Sequence, residues 1–123
     1  MKKENEHCAT GFIEEIWNGR KFDKLENYLH PDFTDYSLPA GLGNAAGLRA
    51  YLTELTGNIN HKTTIQKLII DQEFIILEVS VKLSAAAKPM SKQFDKKQHE
   101  TITGYRILAM ADQHIIGHWE CFD

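Results

Sequence analysis

The spacing of apolar residues divides the chain into two regimes. Up to about residue 58 the apolar positions recur at helical intervals. Beyond it, from residue 61, they fall in long β-like runs. Over residues 4–18, Cys8, Phe12, Ile13, Ile16 and Trp17 fall on one stripe while Glu14 and Glu15 face away, which predicts an amphipathic helix. Asn18-Gly19 ends it, because both residues tolerate the left-handed cap conformation. A short helix is predicted over 22–29, with Phe22, Leu25, Tyr28 and Leu29 inward; Pro31 stops it and pushes His30 out of the α region. FTDYS at 33–37 alternates and predicts a short strand. LPAGLGNAAG reads as a loop, and a third helix follows at about 44–56, with Leu48, Tyr51, Leu52 and Leu55 inward and Gly57-Asn58 closing it.

Four long β-like runs follow: HKTTIQKLIID, EFIILEVSVKLSA, HETITGYRILAMA and HIIGHWECF. Asp71-Gln72 and Asp112-Gln113 separate neighbours as tight turns. The second and third of these strands pair across a lysine-rich stretch, 88–97, which reads as a solvated loop. Helices first and an antiparallel meander second imply an α+β fold, three helices packed on one face of a curved sheet. With 123 residues and no linker or repeat, residues 1–123 form one domain.

Composition narrows the function classes. A net charge of −3 argues against a nucleic-acid partner. No apolar run approaches the roughly 18 residues of a membrane span, and MKKENEHCATGF has no apolar signal core, so a cytoplasmic protein without a membrane partner is expected. Cys8 and Cys121 are too few for a disulfide scaffold and are expected to be small buried hydrophobes. The histidines show no zinc spacing. GLGNAAG lacks the βαβ context of a nucleotide loop.

Three segments, in this order and spacing, carry a resemblance: IWNGRKFDKLENYLHPDFTDYS, GLRAYLTEL and ADQHIIGHWECFD. Together they resemble the SnoaL-like, polyketide-cyclase-like group of the nuclear-transport-factor-2-like superfamily, over nearly the whole chain. The resemblance implies a cone-shaped sheet whose mouth admits a small, largely apolar or aromatic molecule. It implies acid/base chemistry with no metal and no organic cofactor, and a homodimer packed through the outer sheet face. The chain departs from the family pattern at three positions. Tyr36 stands where many relatives have histidine, Glu120 where they have aspartate after the tryptophan, and Arg106 where cyclases carry an acid or histidine.

Glu120 is the first catalytic candidate, since a desolvated carboxylate suits proton transfer beside a carbonyl. His118 shares its strand face, two residues away, and would orient it or titrate itself. Arg106 would clamp an anionic ligand or bridge to Glu120 or Asp123. Tyr36, beside Asp35, would donate to a substrate carbonyl. Trp17, Phe33, Tyr51, Leu52 and Tyr105 are expected to line the pocket or core. Trp119 and Asp123 occupy the opposite face of the final run, and alternation alone leaves open which face is inward. Three functional readings stay open: a cofactor-independent isomerase, cyclase or hydrolase; a binding protein without chemistry; and a dimeric module with a vestigial pocket.

Overall fold

The computed structural model describes residues 2–39, 41, 43–85 and 99–122. The lysine-rich stretch 88–97 and Asp123 lie outside them. Helix α1 (Lys2–Gly11) continues without a break into a wider, π-wound segment (Phe12–Asn18). The Gly19 N–H donates to Glu14 O at 2.8 Å, the five-residue spacing of that winding. Phe12, Ile13, Ile16 and Trp17 are all buried there. A 3₁₀ turn (Phe22–Asn27) leads to β1 (Leu29–Asp35), then come α2 (Ala45–Asn58), β2 (Ile59–Asp71), β3 (Phe74–Ala85), β4 (His99–Ala111) and β5 (His114–Phe122). Asn44 caps α2, its side chain accepting from the Gly47 N–H at 2.8 Å. Among the described residues no helix is long and apolar enough to cross a membrane.

The five strands form one sheet in the order β1-β5-β4-β3-β2, so the last four make an antiparallel meander and β1 joins its far side in parallel. Asp112 and Gln113 turn the β4–β5 hairpin with φ of 50° and 65°, as a two-residue primed turn requires. The helices cover one face. Their apolar stripe meets Ile75, Leu77 and Val79 of β3, Leu108 of β4 and Ile115 of β5 in a continuous core. This is the α+β architecture expected from the sequence.

Two local expectations are corrected. Leu29, expected to close the second helix, is strand, and β1 runs Leu29–Asp35 rather than 33–37, so Tyr36 and Ser37 fall in a turn. The cause is Pro31: the residue before a proline favours extended backbone, and here that backbone pairs, Leu29 with Ile115. Of the cysteines, both expected to be buried, Cys8 is half-buried and Cys121 is exposed on the outer sheet face, where the strand period of two places it.

Candidate functional site

A cavity of about 200 Å³ lies between the helices and the inner sheet face. Trp17, Tyr51 and Leu55 close it from the helical side. The sheet supplies Ile59, His61 and Thr63 from β2, Val81 and Leu83 from β3, Ile102 and Arg106 from β4, and Glu120 and Phe122 from β5. A larger open groove, about 550 Å³, runs between Leu25 and Arg49, but its lining holds no buried ionisable group.

Local structure explains how the wall is held. Asn18 pairs with the backbone of Thr63 on both sides, donating to its carbonyl at 2.8 Å and accepting from its N–H at 2.7 Å. This clasp fixes the π-wound segment on β2 and sets Trp17 over the cavity. On β4, Gly104 permits the close approach of β5, since a Cβ there would stand 2.3 Å from the Cys121 carbonyl oxygen. Alternation then carries Arg106 and Leu108 inward on β4, opposite Glu120 and His118 on β5.

Four ionisable side chains form a chain of hydrogen bonds at the cavity's end. Arg106 Nη1 donates to Glu120 Oε2 at 2.6 Å and to His118 Nε2 at 3.2 Å. A guanidinium only donates, so Nε2 accepts and the imidazole proton sits on Nδ1, which faces Asp35 Oδ2 at 2.8 Å. The other Asp35 oxygen accepts from the Ser37 N–H at 2.9 Å, and the Ser37 hydroxyl accepts from the Glu120 N–H at 2.8 Å. The turn after β1 is thereby tied to β5. Glu120 is the outlet of the chain: its side chain is 28% accessible against 4% for Arg106. The guanidinium lies on the Trp17 ring, 3.8 Å from its centre, a cation–π contact in a desolvated setting. Burial pulls the Arg106 pKa down, opposed by the charge and hydrogen bond of Glu120. Burial and the Glu120 charge raise that of Tyr51, which keeps its phenol a neutral donor.

The structure thus brings together Glu120, Arg106, Trp17 and Tyr51 at the cavity, with His118 directly behind Arg106. It places the remaining candidates elsewhere. Tyr36 is 59% exposed and stacks on Trp119 at 4.6 Å, on the outer sheet face, because β1 stops one residue before it and Trp119 alternates outward from His118. Tyr105 is exposed on that same face by its two-residue offset from Ile107, the register partner of Trp119. Leu52 and Phe33 are buried in the core and do not line the cavity.

Sequence reasoning gave no role to Asp35, which it placed beside Tyr36, nor to His61 or Thr63. Each carried a period-two signal. Asp35 follows Phe33 on one face of β1, and Ile59, His61 and Thr63 share a face of β2.

No curated protein matches the chain. Solved structures do match in fold. TsrD from Streptomyces laurentii superposes with a TM-score of 0.81 at 14% identity, over 100% of this chain and 90% of that one. A candidate polyketide cyclase from Acidithiobacillus ferrooxidans gives 0.82 at 16% identity, over 98% and 88%. An LEH-like epoxide hydrolase from M. tuberculosis gives 0.76 at 13%, over 98% and 84%. The model of the SnoaL-like polyketide cyclases matches residues 7–123, and the chain belongs to that family.

Proposed function

We propose that the chain binds a small, largely apolar carbonyl compound in the cavity and catalyses cofactor-free proton transfer on it. Glu120 is the acid/base and Arg106 stabilises the oxyanion. The observation that carries this reading is the Arg106–Glu120 pair at the wall of a largely apolar cavity, with the carboxylate as the accessible member. In the step proposed, the Glu120 carboxylate takes a proton from the carbon beside the carbonyl. The C–H electrons move into the enolate, whose charge gathers on oxygen. Protonation of Glu120 weakens its bond to Arg106 as that charge develops, so an Arg106 N–H is released toward the new anion. Return of the proton to the same or another carbon completes exchange or isomerisation. Asp35 and His118 act as positioning residues, holding the guanidinium from behind.

The test is α-proton exchange of cyclohexanone and 2-tetralone in D₂O, followed by NMR. The expected result is acceleration over buffer that Glu120→Gln lowers by about 10²–10⁴-fold, with partial activity kept by Glu120→Asp. Binding of either ketone, seen in tryptophan fluorescence, with no exchange above buffer would leave a binding protein and remove the enzyme.

The outer sheet face supports the homodimer expected from the resemblance. Tyr36 stacks on Trp119, Phe74 lies 6.4 Å from the same ring, and Ile69 and Tyr105 are exposed beside them. A second copy presenting the same face is the proposed partner, with no nucleic acid or membrane. Sedimentation at micromolar concentration should give a dimer, and a monomer there would refute it.

A further inference from the structure

We propose that the cavity takes a single-ring ligand bearing two uncharged oxygens, one held at Arg106 and Glu120, the other at His61 and Thr63. This rests on the reading of the cavity as a carbonyl-binding site and adds a second anchoring point to it.

Three buried side-chain atoms lack a hydrogen-bond partner among the described residues: Trp17 Nε1, Thr63 Oγ1 and Arg106 Nε. All three belong to residues lining this one cavity. Each parent residue is at most 4% exposed, and buried polar groups are ordinarily satisfied, so a cluster of unmet ones marks where a ligand's polar atoms belong. His61 stands beside Thr63, two residues away on the same face of β2. Among the described residues the one hydrogen-bond contact of its ring is long, 3.4 Å from Nε2 to Thr56 Oγ1.

The sheet order separates the two polar ends. β2 carries His61 and Thr63, while Arg106 and Glu120 are on β4 and β5, with β3 between. Val81 and its register partner Ile102 supply apolar wall in the intervening space. Trp17 touches both ends, 3.8 Å from the guanidinium carbon and 6.2 Å from the His61 ring. One ring lying along the indole can therefore present oxygens to both.

Size limits the ligand. A cavity of about 150 Å³ holds one benzene ring, so about 200 Å³ holds one ring with substituents and excludes three fused rings. Charge limits it too. Burial first, then the positive charges of Arg20 and Arg106, lower the pKa of His61. A neutral imidazole and a threonine hydroxyl recognise a hydroxyl or carbonyl rather than a carboxylate.

The experiment compares 4-hydroxycyclohexanone, cyclohexanone and 1-hydroxyanthraquinone by calorimetry. The hydroxyketone should bind at least tenfold more tightly than cyclohexanone, and the three-ring compound should not bind. Thr63→Val, which keeps shape, and His61→Gln, as a second variant, should each erase most of that preference, read as the ratio of the two affinities measured in the same variant. Equal affinity for the two ketones overturns the proposal, as does a preference that survives both substitutions or tight binding of the anthraquinone. If cyclohexanone still exchanges its α-protons in a Glu120-dependent way while the preference is missing, only the second anchor fails. If cyclohexanone neither binds nor exchanges, the carbonyl-site reading fails and takes this one with it.

Discussion

Arg106 and Glu120 meet at 2.6 Å across the β4–β5 register, yet they are unequal partners, since the guanidinium is buried and the carboxylate opens on the cavity. Breaking the pair should therefore cost more from one side than from the other. Glu120→Leu strands a buried cation and should destabilise by about 3 kcal/mol, the low end for broken buried pairs. Arg106→Met keeps the stem packing and leaves a carboxylate that water can reach, so about 1–2 kcal/mol is expected after screening. The double variant should lose less than the two singles together. Urea midpoints for the four proteins check this; additive losses would show that the pair is not coupled.

Asp35 should matter through His118 rather than by touching a ligand. Asp35→Ala leaves the buried Nδ1–H without an acceptor and should cost about 2 kcal/mol, whereas Asp35→Asn keeps an acceptor oxygen and should cost less. In the exchange assay Asp35→Asn should lower kcat with little change in KM, because the site is loosened and not emptied. A large rise in KM with unchanged kcat would place Asp35 in binding instead.

The His61 pKa is depressed in the folded state, chiefly by burial, which fixes the sign of a pH effect. Above the ordinary value near 6.5 the ring is neutral in both states, and its contribution is intact. As pH falls below that value, the unfolded chain takes up a proton that the folded chain resists, so stability is lost down to the folded pKa. The difference in unfolding free energy between the natural protein and His61→Leu should be flat from pH 8 to 7 and should fall from about pH 6.5 toward 5. A flat difference across the whole range would contradict this.

The two thiols should separate kinetically. Cys8 is pushed up to about 11 by burial, so little thiolate is present near pH 8. Cys121 is exposed. A disulfide reagent at pH 8 should show one fast thiol, removed by Cys121→Ser, and one slow thiol. Two equally fast thiols would mean that α1 does not stay packed against the core, where it buries Cys8.

The sequence was most informative where its runs were long. Long β-like runs rich in β-branched residues marked β2 to β5 almost to the residue, because turn residues at 71–72 and 112–113 bound them and fix where each strand stops. At β1 the signal failed: Leu25, Tyr28 and Leu29 continue a helical stripe on paper, and only pairing with Ile115 makes Leu29 a strand residue. In the site, His118 and Glu120 were legible as sharing a face. Their inward direction was not, since β5 carries a large aromatic on each side, Phe122 inward and Trp119 outward. Asp35 was illegible as a partner for His118 because 83 residues separate them, and no local pattern reports a contact of that span.

That separation also sets when the site can exist. β5 lies between β1 and β4 in space but follows both in sequence. During folding the meander can form hairpin by hairpin. The link between His118 and Asp35 instead requires closing a loop that spans most of the chain, the slow kind of contact. A molecule with its hairpins formed and β1 undocked would have an Arg106–Glu120 pair backed by a His118 that lacks its Asp35 partner. Maturation of the site is thus a late event, timed by the docking of one seven-residue edge strand.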